Sequence, residues 1–342
     1  MYNTKQWIKR SIEAFCCKLE KNILTNKFLK CKVVFGPVRS RRLGLVLGIN
    51  NIKPNVCSYN CIYCPSGNKT CCSICTNNCL NPYELHISVR HKLTDISKMD
   101  DKINFIVFTG SGEPALDTQL SKEISILREF GFKIAVFTNG SLIWNKHIRE
   151  NLMFADYVSI KIDTVNPDTW QKINRPHKRL RYDLILEGIK EFSKDYKGIL
   201  STETMLIKNI NDSNAEINGL AKYLNTLKTE ASYFTVPIFP PEKGYAVSPD
   251  ADILEHLKDL IKEKVAKPVL LCCPEDEEFI ATDDFENELL GLLAIHPVGK
   301  DAVKYYINNE KDRNKLNEMI DNKIIKEVEF HGKYYFMENV AS

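Results

Sequence analysis

The sequence predicts an α/β protein built on a partial (β/α)6 barrel, with a helix before it and a small α+β unit after it. Three observations carry this. Between residues 100 and 240, short apolar runs alternate with amphipathic helical patterns, the signature of βαβ units around a parallel sheet. The segment Pro237-Ile-Phe-Pro-Pro-Glu-Lys-Gly244 places three prolines and a glycine in eight residues and ends the alternation. Beyond it, residues 284–342 read as three helices and a β-hairpin around the turn His331-Gly332, a winged-helix pattern.

Taken in order, Ile8, Ile12, Phe15, Leu19 and Ile23 form the apolar stripe of a packing helix over about residues 4–25. Leu43 to Ile49 is short, apolar and flanked by turn residues, as a buried first strand should be. Five more strands are expected at Phe105-Ile-Val-Phe, Lys133-Ile-Ala-Val-Phe, Tyr157-Val-Ser-Ile-Lys-Ile, Thr202-Glu-Thr-Met-Leu-Ile and Tyr233-Phe-Thr-Val. Helical patterns lie at 117–130, 183–196, 213–227 and 250–265, with Asp212 or Ser213 as a cap of the third. The expected division is an N-terminal helical extension (1–32), a barrel (33–250), a connecting helix and linker (251–282) and a winged-helix-like domain (283–342). Barrels of this kind place their chemistry at the C-terminal ends of the strands.

Of 342 residues, 44% are hydrophobic and 27% charged, with a net charge of +3, which excludes disordered, collagen-like and simple coiled-coil proteins. Cysteine is the unusual component: seven of twelve, Cys57, Cys61, Cys64, Cys71, Cys72, Cys75 and Cys79, fall within 23 positions. The N-terminus has no uninterrupted apolar signal region, and no run approaches ~18 apolar residues. A reducing, cytoplasmic location and no membrane partner are therefore expected, and clustered cysteines there read as metal ligands or redox groups.

Cys57-Ser-Tyr-Asn-Cys61-Ile-Tyr-Cys64 has the spacing C-x3-C-x2-C directly after the first strand and its loop. Three thiolates can hold three irons of a [4Fe-4S] cube and leave one iron open to a further ligand. A zinc site usually adds a fourth ligand and favours paired C-x2-C knuckles. The second strand runs into Thr109-Gly-Ser-Gly-Glu113-Pro, where glycines allow close backbone approach to a ligand and Glu113 offers an acceptor for an ammonium group. The third ends in Thr138-Asn139-Gly140. Ser159, Lys161 and Asp163 alternate along the fourth, and Glu203 and Met205 share a face of the fifth.

In these motifs the chain resembles the radical S-adenosylmethionine (SAM) enzymes. The resemblance implies a [4Fe-4S] cluster on Cys57, Cys61 and Cys64, SAM as cofactor, and an electron donor such as flavodoxin or ferredoxin. It also implies cleavage of SAM to a 5′-deoxyadenosyl radical. It carries cofactor contacts onto Tyr63, Gly110, Gly112, Glu113, Asn139, Ser159, Lys161, Asp163, Glu203 and Met205. The strings Gly36-Pro-Val-Arg-Ser-Arg-Arg-Leu-Gly44, Lys172-Ile-Asn-Arg-Pro-His177 and Asn209-Ile-Asn-Asp212 look like the branch related to the tRNA wyosine-base synthases, over roughly residues 33–250. The substrate this implies is an RNA base, a protein side chain or a small anion. A tRNA-modifying activity is the alternative that the branch suggests, but Cys16, Cys17 and Cys31 do not match the extra N-terminal cysteine set of those synthases.

Two further groups leave alternatives open. Cys71, Cys72, Cys75 and Cys79 offer ligands for a second iron-sulfur cluster or a zinc, or are unpaired thiols in a loop; Cys272 and Cys273 follow Val269-Leu-Leu as small buried residues or complete that second site. Residues 21–42 and 172–181 are basic and free of acids; Arg39, Arg41, Arg42 and Arg175 within them read as substrate anion contacts, or as partners in internal ion pairs. A competing function is an iron-sulfur or zinc regulator whose winged helix binds a promoter. Residues 283–342 carry eight Lys/Arg against twelve Asp/Glu, a net of −4, which disfavours DNA.

Overall fold

The computed structural model describes residues 33–53, 56–66, 71–97, 102–241, 245–272, 284–307 and 309–339. The helix expected over 4–25 lies outside them, as do Cys16, Cys17, Cys31 and Cys273. In chain order the strands are β1 (Val34–Ser40), β2 (Gly44–Ile49), the two-residue β3 (Val56–Cys57) and β4 (Cys71–Cys72), β5 (Phe105–Phe108), β6 (Lys133–Thr138), β7 (Tyr157–Lys161), β8 (Ile199–Met205), β9 (Ala231–Thr235) and β10 (Pro268–Leu271). All but β3 and β4 join one eight-stranded sheet in that same order. From β2 to β10 every pairing is parallel, and β1 runs antiparallel along the edge. Each strand connects to its immediate neighbour, so the sheet is singly wound, as in a barrel.

Helices α1 (Pro82–Asp95), α2 (Leu120–Leu127), α3 (Lys146–Leu152), α4 (Pro167–Asn174), α5 (Tyr182–Asp195), α6 (Asn214–Leu224) and α7 (Ala251–Lys264) lie between the strands. Asn81, Asn145, Asn166 and Ser213 cap four of them by accepting first-turn N–H groups. The strands alternate strictly. Leu47, Ile106, Ile134, Val136, Val158 and Ile160 face the helices and the main core, whereas Val46, Val107, Ala135 and Tyr157 face the other way. That second face is the barrel interior.

All six expected strands form. The connecting helix expected from residue 251 forms as Ala251–Lys264, and the sheet extends past residue 250 because Pro268–Leu271, expected as linker, adds a seventh parallel strand. A four-residue apolar run opening on proline is too short to be told from a loop by pattern alone. β1 was hidden by Gly36-Pro37, which breaks its register with β2 as a bulge. α1 buries Leu85, His86, Ile87, Val89 and Lys92 and so shows no single apolar stripe.

Beyond the barrel come α8 (Phe285–Leu293), β11 (Val298–Gly299), α9 (Lys300–Tyr306), α10 (Glu310–Asp321), β12 (Ile325–Phe330) and β13 (Lys333–Glu338). The three strands form an antiparallel sheet in the order β11-β13-β12. The module's core of Leu289, Leu292, Val298, Met319 and Phe336 includes Phe35 from β1. The Phe35 ring lies on Gly48 of β2, where a Cβ would stand 2.0 Å from it. An ion pair from Lys92 to Glu288 and a hydrogen bond from Ser66 Oγ to the Ile295 carbonyl (2.9 Å) complete the junction.

Behind the loop after β5, Asp117 and Glu123 are both fully buried. Burial, and for Glu123 the nearby Asp117 carboxylate, raise them to about 6 and about 9, with hydrogen bonds from the Gln119 N–H and the Asn51 amide opposing. Among the described residues, Glu123 Oε1 meets no donor at hydrogen-bond distance, the Cys79 and Leu80 N–H groups as well as that of Gln119 favour the Asp117 carboxylate, and a proton on Glu123 removes one of two neighbouring buried charges at neutral pH. Because the folded value of Glu123 lies above its unfolded one, its contribution is fully present below about 4.5 and is lost as pH rises through about 9. We expect Glu123→Gln to keep the neutral form and to flatten the alkaline loss of stability. The effect reaches up to about 1.4 kcal/mol per pH unit between pH 7 and 9, measured by urea denaturation across pH.

Candidate active site

The cysteine loop is held by α4 and the turn after it. The Asn60 and Ile62 N–H groups donate to the Asn174 and Ile173 carbonyls (both 2.9 Å), and the His177 N–H donates to the Ser58 carbonyl (2.9 Å). The first two satisfy carbonyls left over at the helix C-terminus. Tyr59, between the first two cysteines, is buried; its hydroxyl accepts from Trp170 Nε1 (3.1 Å), and Trp170 stacks on Tyr182 with centroids 4.4 Å apart. Lys172-Ile-Asn-Arg-Pro-His177 is therefore the scaffold of the loop. Arg175 takes the left-handed conformation (φ 42°) that ends α4.

Cys57, Cys61 and Cys64 face a cavity of about 460 Å³ at the C-terminal ends of the strands. Asn139 Nδ2 donates to Cys57 Sγ and Asn174 Nδ2 to Cys61 Sγ, each over 3.4 Å. Burial, then the nearby Asp163 and Cys64, push the Cys61 thiol above the usual range, so it becomes a thiolate only when a cation takes up the charge. Among the described residues no three His, Cys, Asp or Glu side chains converge on a single ion. A cube spreads three thiolates over three irons, and the N–H groups aimed at two sulfurs suit bound thiolates, so the residues fit such a cluster.

The Thr109–Pro114 loop closes on the same cavity. A Cβ at Gly112 would stand 2.0 Å from the Val56 carbonyl, so only glycine lets this loop lie against β3. Glu113 is almost fully buried: Oε1 accepts from the Ala115 N–H (3.0 Å) and the Thr138 hydroxyl (2.5 Å), and Oε2 from the Asn139 N–H (2.7 Å). Burial raises its carboxyl, these bonds oppose the rise, and a lone pair remains for an ammonium donor.

The interior carries an ionic triplet. Glu203 accepts from Lys161 Nζ (2.7 Å) and from the Arg42 guanidinium, whose other nitrogen donates to Ser159 Oγ (3.3 Å). Arg42 also lies over the Tyr233 and Phe137 rings at 4.7 and 5.4 Å, and Lys161 over the Tyr63 ring at 4.7 Å. Burial alone would raise Glu203; Arg42 and Lys161 more than reverse this and hold it far below the usual carboxylate range. Asp163 accepts from Tyr63 Oη (2.6 Å), Asn174 Nδ2 (2.8 Å) and the Met205 N–H (2.9 Å).

Tyr63, Gly110, Gly112, Glu113, Asn139, Ser159, Lys161 and Glu203 line the cavity. Asp163 and Met205 stand behind its wall. Arg41 and Arg42 line the cavity too: Arg42 pairs with Glu203, and Arg41 reaches the Leu271 carbonyl of β10 (2.9 Å). Arg39 and Arg175 are exposed and do not line the cavity; Arg175 lies over the Tyr245 ring at 5.1 Å. Cys72 donates to the Ser58 carbonyl (3.4 Å) and Cys79 to the Asn77 carbonyl (3.6 Å), Cys75 is exposed, and the described thiols of this loop do not converge on an ion. Cys272 is partly buried against the main core.

Sequence reasoning missed Asn174, although it lies within a quoted motif, and missed the wall given by Ile238, Phe239, Ile295 and His296. His296 stacks on Phe239 at 4.7 Å, and burial lowers its pKa. A larger surface groove of about 1140 Å³, between Tyr83 and Phe154, shares no lining residue with this cavity.

Glu203→Gln strands Arg42 and Lys161 beside each other. We expect it to cost about 3–5 kcal/mol in urea denaturation at neutral pH. Gly112→Ala forces the Glu113 loop away from Val56; an overpacking loss of about 1–3 kcal/mol is expected in the same measurement.

A model of the Radical SAM superfamily matches residues 51–220. The UPF0026 protein MJ1312 of Methanocaldococcus jannaschii is 36% identical over 313 residues, covering 91% of this chain and 97% of the relative. A UPF0026 protein of Helicobacter pylori is 32% identical over 208 residues, 58% of this chain and 63% of the relative. Among solved structures, a radical SAM methyltransferase from Sphaerobacter thermophilus superposes with a TM-score of 0.52 at 17% identity, over 66% of this chain and 65% of that one, a likeness of fold. Among the described residues no helix is long and apolar enough to cross a membrane. The chain thus belongs to the UPF0026 family and, through the core that carries its cysteine loop and Glu113, to the radical SAM superfamily.

Proposed function

We propose that the chain binds a [4Fe-4S] cluster through Cys57, Cys61 and Cys64 and uses it to cleave SAM reductively, with an external one-electron donor such as flavodoxin or ferredoxin. The observation that carries this reading is the meeting, in one cavity, of the cysteine loop, the N–H···S donor Asn139 and the buried Glu113, with a second N–H···S donor, Asn174, behind the wall. Bound there, cluster and SAM would supply a 5′-deoxyadenosyl radical for attack on a substrate. The protein's part is positional. Glu113 offers its remaining lone pair to the methionine ammonium, and Asn139 and Ser159 present polar atoms at the strand ends. Tyr63 offers a ring face beside the third cysteine, and the triplet of Arg42, Lys161 and Glu203, two cations on one anion, leaves net positive charge at the cavity wall for a carboxylate.

The C-terminal module reads best as a wall of this site. Its Ile295 and His296 line the cavity, its core takes in Phe35 of the barrel, and its net charge of −4 suits a duplex poorly. We therefore place its role at the substrate, within an enzyme, rather than at a promoter.

The test is anaerobic reconstitution of the full chain and of a variant with Cys57, Cys61 and Cys64 all changed to Ala. The parent should hold about four irons in the cluster and form 5′-deoxyadenosine from SAM with a strong reductant, and the variant should do neither. Full iron and undiminished cleavage in the triple variant would sink the reading.

A further inference from the structure

We propose that Asn174 is a positioning residue that tunes the reduction potential of the cluster through Cys61. The inference rests on the cluster assignment above and goes beyond it to a residue outside the cavity lining. Asn174 is buried, and its amide nitrogen makes two bonds, to Cys61 Sγ (3.4 Å) and to Asp163 Oδ2 (2.8 Å). An amide NH2 has two hydrogens, so both contacts are met at once.

The geometry leaves this amide little freedom. The backbone carbonyl of Asn174 accepts from the Asn60 N–H at the end of α4, and the left-handed Arg175 caps that helix, so the stem of this side chain is anchored. Asp163 is held in turn by the Tyr63 hydroxyl (2.6 Å) on the same oxygen and by the Met205 N–H (2.9 Å) on the other. The carboxylate thus orients the amide, and the amide separates a thiolate from a second negative charge. Asn139 is different: its nitrogen also serves Ser58 Oγ (3.0 Å) and it lines the cavity, so its loss would disturb bound SAM as well.

An electron added to a cluster held by three thiolates increases negative charge on the sulfurs. An N–H dipole aimed at one sulfur stabilises that reduced form more than the oxidised form and raises the potential. Removing the amide withdraws the dipole and turns Cys61 toward the Asp163 carboxylate. Both changes favour the oxidised cluster.

The experiment uses the full chain, reconstituted anaerobically as wild type, Asn174→Leu and Asn174→Asp. Iron content, circular dichroism and the EPR-monitored midpoint potential are read without SAM. Leu fills the space with no donor; Asp keeps the shape and replaces the donor with an acceptor. Both variants should retain the wild-type iron content and titrate at a more negative potential, Asp at least as far as Leu. Should Leu fail to fold, the Asp variant decides. Variants with full iron and the wild-type potential overturn the inference. So do folded variants that load no iron while the wild type does, because Asn174 would then serve assembly. A wild type without a cluster is a separate, recognisable failure: it removes the proposed function and this inference with it.

Discussion

A single carboxylate, Glu203, organises the inside of the barrel. A curved parallel sheet must fill its concave face, and small barrels usually do so with layers of branched aliphatic side chains. Here one part of that face is aliphatic, from Val46, Val107 and Ala135, and another holds Arg42, Lys161 and Glu203. Two cations and one anion remain charged there because each guanidinium or ammonium face that lacks a carboxylate has an aromatic ring instead. The triplet ties the β1–β2 turn to β7 and β8, and Arg41 carries the same turn on to the far edge at Leu271. The sheet's two edges are thereby linked through side chains, with no backbone pairing between β1 and β10.

On this floor the site is assembled from loops that hold one another. The cysteine loop hangs on the end of α4, the Glu113 loop lies on β3, and Asp163 ties Tyr63, Asn174 and Met205 together behind the cavity wall. Most groups that face a cofactor are therefore fixed by others that do not. Such support keeps polar groups at rest where reacting atoms are to sit, so little reorganisation remains for the moment of reaction.

Much of this was legible in the sequence, and for identifiable reasons. The strands β2, β5 and β6 carry near-continuous apolar runs because both faces are buried, and Ser213 announces α6 by its capping chemistry. Local spacing marked Cys57, Cys61, Cys64 and Glu113, and the loops after β3 and β5 bring them to one cavity. What depends on distant contacts could not be read. Arg42 looks like a free cation until Glu203, on a strand 161 positions away, is folded against it. Asn174 looks like a helix end until Cys61 arrives beside it. β1 and β10 both carry proline, and β10 is only four residues long, so their pairing partners, not their composition, make them strands.

Phe35 belongs to two cores at once: its backbone is in the barrel's edge strand, and its ring completes the C-terminal module over Gly48. A boundary drawn between the two units thus passes through a side chain instead of along a linker. Cleavage of the chain between Leu271 and Phe285 would leave one fragment with an uncovered aromatic ring and the other with a hole of the same shape. The pair therefore resembles a single cooperative body more than beads on a string.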